Sequence, residues 1–193
     1  MEGLEEMSAR VLRTESAYSG YVSISKATLE EAGQKVVREI VHQGNAVAVL
    51  PYDPDRKLCM LVQLLRAPVL LCGVSNRLLE VPAGVIDAGE SPLEAARREV
   101  LEETGLSLMQ LDQVAGVWSS PGVSTEQVFL FLAPYNERDK IAAGGGLAEE
   151  HENITMVERP LFEVASLVGD GELSDMKTLT LLLALQLRRP ELF

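Results

Sequence analysis

Residues 84–106 read GVIDAGESPLEAARREVLEETGL, a glycine-containing loop running into a helix whose start and stop are both written in the chain. Ser91-Pro92-Leu93-Glu94 forms a capping box with proline at the first helical position. The serine oxygen accepts from a free backbone N–H, and the glutamate reaches back to the cap. Gly105 supplies the left-handed residue that ends such a helix. Leu93, Ala96, Val100 and Thr104 recur at helical spacing and are expected to face the core. Glu99, Glu102 and Glu103 then fall on the opposite side at i, i+3 and i+4, where like charges cost about 0.2–0.5 kcal/mol per pair. Arg97 and Arg98 offset part of this repulsion, though neither lies between the acids.

An acidic stripe on a helix is ordinarily a solvated face. Here the loop, the cap and the acids arrive together at fixed spacing, which favours a site for a hard cation. Carboxylate oxygens with no cysteine or histidine nearby suit Mg2+ or Mn2+ rather than zinc. A bound cation would turn the mutual repulsion of the acids into attraction for itself.

A chain of 193 residues, 47% of them hydrophobic, has material for one compact domain with a small appendage. Its net charge of −12 and pI near 4.6 argue against a nucleic-acid binder or a partner of anionic membranes. An anionic substrate must therefore be admitted by metal ions and a few arginines. The acidic start, MEGLEEMSAR, lacks the pattern of a signal peptide, and the longest apolar run, residues 179–187, is too short to span a bilayer. Cys59 and Cys72 have no metal-type spacing and read as reduced residues of a cytoplasmic protein.

Along the chain, residues 1–42 read as a small N-terminal β-sheet region with little core of its own, with strands near 10–14, 20–28 and 35–41. Residues 43–193 read as the main domain. Strands are expected at 46–52, 59–65, 78–81, 113–118, 127–133 and 154–158, and helices at 91–104, 160–168 and 174–188. Residues 68–76 read as an apolar loop. Strands interleaved with three helices point to an α/β fold, an α/β/α sandwich around a mixed sheet.

The spacing G-x5-E-x7-R-E-U-x-E-E-x-G-U, with U aliphatic, is filled by Gly84, Glu90, Arg98, Glu99, Val100, Glu102, Glu103, Gly105 and Leu106. Its seven identities would coincide by chance about once in 10^8 starting points. The segment resembles the Nudix box, the signature of hydrolases that cut nucleoside diphosphates linked to another group. The chain is further similar to the ADP-ribose and nucleotide-sugar pyrophosphatase branch of that superfamily, most of all to its GDP-mannose pyrophosphatases. The residues carrying this are Arg66 before the apolar loop, Ser120-Pro121-Gly122 with Glu126 after it, the run AGGGLAEEHENI at 143–154, Arg38-Glu39, and Gly44-Asn45.

The resemblance implies Mg2+-dependent hydrolysis of a nucleotide sugar of the GDP-mannose or ADP-ribose type, with Mn2+ able to substitute. Glu99, Glu103 and the carbonyl oxygen of Ala83 would touch the metal, and Glu102 would touch it or support a residue that does. Glu90 and Arg98 would pair to hold the loop against the helix. Residues 143–152, with the Gly144-Gly145-Gly146 run, would form a mobile lid, bringing Glu150 as general base and Glu152 as a further metal ligand. His151, where relatives carry another polar residue, leaves a histidine base open. Arg66 and Arg38 would clamp a phosphate or the distal sugar, against the alternative of ordinary surface cations. Tyr21, a strand residue, would stack on the nucleobase or simply pack. Glu126 would contact substrate or remain a surface acid, and Trp118 would be buried or edge the cleft. The N-terminal sheet would exchange across a homodimer, carrying Tyr21, Arg38 and Glu39 toward the partner's active site. The alternative reading is a regulatory Nudix domain that binds its nucleotide without cutting it. Such domains usually lose box glutamates, and here all are present.

Overall fold

The computed structural model describes residues 9–74, 77–146 and 153–193. The described chain forms two compact units: everything up to Asn45 together with Trp118–Gln127, and the remainder.

The first unit is an antiparallel meander of β1 (Arg10–Ser19), β2 (Ser23–Glu31) and β3 (Gln34–His42). Ala32 and Gly33, with φ of 49° and 74°, make the two-residue turn between β2 and β3, as the Ala-Gly pair suggests. Every residue of β1 is exposed, Val11, Leu12 and Tyr18 included. Tyr21 was expected on a strand. Instead β1 runs on to Ser19 and β2 begins only at Ser23, so Tyr21 sits on the connecting turn, 98% exposed. Trp118–Gln127 joins this unit because Val41 bridges to Ser124, with the Val41 N–H donating to the Val123 carbonyl at 2.8 Å. The His42 ring lies between the Ser25 hydroxyl at 2.9 Å and that of Thr125 at 3.3 Å.

The second unit holds β4 (Ala46–Asp53), β5 (Leu58–Leu64), β6 (Leu78–Glu80), β7 (Ala83–Val85), β8 (Asp112–Trp118), β9 (Gln127–Pro134) and β10 (Thr155–Pro160). They form one mixed sheet in the order β10-β5-β4-β9-β8, with β6 paired to β5 and β7 to β4. β4 is parallel to β9 and antiparallel to β5 and β7. Its helices are α1 (Ala67–Leu71), α2 (Pro92–Thr104), α3 (Leu161–Gly169) and α4 (Met176–Arg188). β4 is buried on both faces, and its side chains alternate between two cores. Val47 and Val49 pack with Ala95, Ala96 and Val100 of α2, whereas Ala48, Leu50 and Tyr52 pack with α3 and α4 through Leu161, Val164, Leu181 and Leu185. This is the expected α/β/α sandwich. Each fully buried leucine contributes roughly 1.5–3 kcal/mol of transfer free energy, so both helix layers are firmly seated.

Residues 67–71 are helical where a loop was expected. Pro68 lies in the first turn with its φ already set for a helix, and the Cys72 N–H closes the turn on the Pro68 and Val69 carbonyls. Among the described residues, no helix is long and apolar enough to cross a membrane.

Candidate active site

α2 is built as its sequence reads. The Ser91 hydroxyl accepts the Glu94 N–H, the Glu94 carboxylate accepts the Ser91 N–H, and Gly105 closes the helix with φ 71°. The buried face differs from expectation at both ends. Leu93 is exposed, and Ala95 lies in the core beside Ala96 and Val100. Glu103, expected on the open side, is buried. Its Oε2 accepts the N–H of Ala83 at 3.1 Å, which brings a carboxylate of α2 against the first residue of β7.

About one turn before Glu103, Glu99 lies over Gly84. A Cβ at position 84 would overlap the Glu99 carboxyl group, so the carboxyl can lie where it does because residue 84 has no side chain, and not because of the φ at 84.

Arg98 ties these parts together. It grips Glu90 with two parallel hydrogen bonds, Nε to Oε1 at 3.0 Å and Nη2 to Oε2 at 2.8 Å. Nη2 also donates to the Val85 carbonyl at 3.0 Å. Nη1 donates to Glu99 at 2.7 Å and Glu102 at 3.3 Å. Arg98 thus does stand between two of the acids. It reaches Glu99 beside it and Glu102 one turn on, which linear spacing along one face conceals. The Glu90 carboxylate beside it raises the Arg98 pKa, and the same bond holds the Glu90 carboxyl below its ordinary range.

The donors gathered here are carboxylate and peptide oxygens. Among the described residues, no three Asp, Glu, His or Cys side chains are grouped so that together they could hold a metal ion. That does not disqualify Mg2+, which keeps several waters and is usually held by one or two carboxylates with the rest supplied by substrate phosphates. Glu99 and Glu103, beside the Ala83–Gly84 peptide, fit such a cation by chemistry and number. Glu150, His151 and Glu152 lie outside the described residues. The glycine run that precedes them is anchored to α2: the N–H groups of Gly145 and Gly146 donate to the carbonyls of Glu103 at 2.8 Å and Glu102 at 3.1 Å.

Arg66 follows β5 and forms a fork with Glu80 at 2.9 and 3.1 Å. Sequence reading missed Glu80, Asp175, Lys177 and Thr178. Lys177 donates to Glu80 at 2.9 Å and to Asp175 at 2.6 Å, while the Thr178 hydroxyl accepts the Val81 N–H at 2.8 Å. Burial alone would raise the Glu80 pKa, but Arg66 and Lys177 outweigh it and hold the carboxyl below its ordinary value. The available signal was the lone charge in the otherwise apolar Leu78-Leu79-Glu80-Val81.

The remaining candidates belong to the first unit. Arg38 and Glu39 sit on β3 and line a groove of about 490 Å3 with Leu29, Trp118, Pro121 and Val123. Glu39 faces Lys26 at 3.6 Å, and Arg38 donates to the Val37 carbonyl at 3.1 Å. Trp118 is half-exposed at the groove. Glu126 is partly buried, its N–H bonded to the Ser124 hydroxyl at 3.1 Å.

Residues 42–178 match the model of the NUDIX domain. The chain is 36% identical over 152 residues to the GDP-mannose pyrophosphatase of Cronobacter sakazakii, covering 78% of each chain. It is 35% identical over 156 residues to that of Yersinia pestis, covering 80% of this chain and 77% of the other. A crystal structure of an ADP compounds hydrolase superposes with a TM-score of 0.75 at 22% identity, covering 95% of each chain, a likeness that speaks for the fold alone. Since the matched region contains the mixed sheet, α2 and its acids, and the relatives extend the match well beyond the box, the chain belongs to the Nudix family.

Proposed function

We propose that this chain hydrolyses the pyrophosphate of a nucleoside diphosphate sugar, of the GDP-mannose or ADP-ribose type, to a nucleoside monophosphate and a sugar phosphate. The observation that carries the reading is the seating of Glu103 on the Ala83 N–H with Glu99 over Gly84, both steadied from Arg98 or the strand. The names of the relatives support the substrate class. Mg2+ bound at Glu99, Glu103 and the Ala83 carbonyl, with Mn2+ as a substitute, would neutralise pyrophosphate charge and make water a better nucleophile. Glu102 shares the Arg98 guanidinium and keeps it aligned with Glu99. Glu90 and Arg98 hold the box loop on the helix. Arg66 and Arg38 grip phosphate or distal sugar, and Tyr21, Glu39 and Glu126 contact the rest of the nucleotide sugar. Glu150 takes the proton of the attacking water, and Glu152 adds a carboxylate for the metal. The chain works as a homodimer through its N-terminal sheet, in keeping with the wholly exposed β1. We assign it to the cytoplasm, in keeping with two free cysteines.

The test is hydrolysis of a panel of nucleotide sugars and nucleoside triphosphates by the purified chain, with chelator and with Mg2+ or Mn2+ restored. Nucleotide sugars should be cleaved far faster than triphosphates, only with metal present, and Glu103→Gln should remove most of the rate with the fold intact. Preference for triphosphates would overturn the substrate class, and full turnover by Glu103→Gln would overturn the metal site.

A further inference from the structure

Glu80 ends β6 and is almost wholly buried, with both carboxylate oxygens occupied by Arg66. A two-bond fork fixes the guanidinium plane to the carboxylate plane. The carboxylate itself turns about a broad terminal torsion unless something else holds it. Lys177 does so, donating to Oε2 of Glu80 at 2.9 Å and to Oδ1 of Asp175 at 2.6 Å. Asp175 cannot swing either. As the N-cap of α4 it accepts the Thr178 N–H at 2.9 Å and the Thr178 hydroxyl at 2.6 Å. The Thr178 oxygen then accepts the N–H of Val81, the residue after Glu80. The contacts close a ring from Glu80 through Lys177, Asp175 and Thr178 back to the strand that bears Glu80.

Stability alone does not account for such a ring, since buried ion clusters are often no better for folding than apolar residues of the same volume. Two cations and two carboxylates also leave the cluster neutral. It therefore offers an incoming phosphate aimed donors rather than excess charge. The Arg66 side chain is the open end, 41% exposed against 2% for Glu80 and 9% for Asp175. Only Nε and Nη2 of its guanidinium are spent on Glu80.

We infer that Lys177 is a positioning residue for the hydrolysis: clamped between Glu80 and Asp175, it sets the Glu80 carboxylate and through it the direction in which Arg66 presents its guanidinium to the pyrophosphate. This rests on the reading of Arg66 as a phosphate or sugar clamp.

The test is a double-variant cycle in the full chain, with steady-state hydrolysis of GDP-mannose at saturating Mg2+. Lys177→Met should raise KM about tenfold while kcat stays within about threefold. Arg66→Gln should raise KM at least as much. The variant carrying both should be no worse than Arg66→Gln within about twofold, because a residue that acts through another adds nothing once that other is gone. Should Lys177→Met not fold, Lys177→Gln takes its place in the cycle and is read the same way. Multiplying effects would overturn the inference and give Lys177 a role in the fold alone, and so would an unchanged KM in the Lys177 variant. An unchanged KM in Arg66→Gln would overturn the clamp reading and this inference with it. Failure of the wider functional reading is distinct, since the unaltered chain would then cleave no nucleotide sugar.

Discussion

Replacing Gly84 by alanine should separate activity from stability. The backbone at 84 does not have positive φ, so alanine meets no conformational penalty there. The three atoms nearest the new Cβ all belong to the Glu99 carboxyl group. That group must withdraw by more than about 1 Å to reach the roughly 3.5 Å of ordinary non-bonded contact. It gives up its bond to Arg98, a part-exposed ion pair worth up to about 1 kcal/mol. Alanine returns about 0.4–1 kcal/mol by narrowing the unfolded ensemble. The two nearly cancel, and the melting temperature should stay within about 4 °C. A catalytic group displaced by about 1 Å loses on the order of 10^2 in rate, or about 2.7 kcal/mol at 1.36 kcal/mol per decade. The assay is kcat/KM for GDP-mannose at saturating Mg2+, with a thermal melt on the same preparation. Gly169→Ala, whose methyl would meet open space at the end of α3, is the silent control. Retention of kcat/KM within about threefold would show that the reaction does not need Glu99 where it lies, and a fall in melting temperature above about 10 °C would show that Gly84 serves the fold.

Thr178→Val leaves the Val81 N–H without its acceptor in the core, at a cost of about 1–3 kcal/mol, so a melt should drop by roughly 2–12 °C. Glu80 and Glu90 have pKa values held below the ordinary 4.5, so their contribution to stability is complete above about that pH and is lost as pH falls through the depressed values. Denaturant midpoints should therefore be flat between pH 6 and 8 and decline only below about pH 4.5, and a decline already under way at pH 6 would contradict the pairing with Arg66 and Arg98. Glu150→Gln should lower kcat by about 10^2-fold or more with little change in KM, as for a lost general base. Glu149→Gln should do much less, whereas a severe His151→Ala beside two mild glutamate variants would give the base to the histidine.

The elements that could be read from the chain are those whose causes are local. The α2 boundaries follow from Ser91, Glu94 and Gly105, all within a few bonds of the groups they satisfy. The two-sided burial of β4 follows from an unbroken apolar run. What escaped reading depends on partners distant in sequence. Glu103 is buried because Ala83, 20 residues earlier, offers it a donor, and helical periodicity holds no record of that. The ring through Glu80 and Lys177 joins residues 97 apart, and neither belongs to a motif with recognisable spacing. Residues 118–127 join the N-terminal sheet through the pairing of Val41 with Ser124 and the bonds of Thr125 to Val41 and His42, all partners distant in sequence. The short helix at 67–71 has no buried residue and so leaves no periodic trace.

Helix ends are ordinarily where a helix opens first, because their last carbonyls lack partners. In α2 that last turn carries Glu102 and Glu103, and three successive carbonyls there are met by glycine amides: Leu101 by Gly105, Glu102 by Gly146 and Glu103 by Gly145. With the capping box closing the other end, the helix has no loose terminus from which to unwind. Opening α2 from either end therefore breaks a cap, so its amide hydrogens should exchange more slowly than those of a helix with frayed ends, and the spacing of its carboxylates is held from both sides.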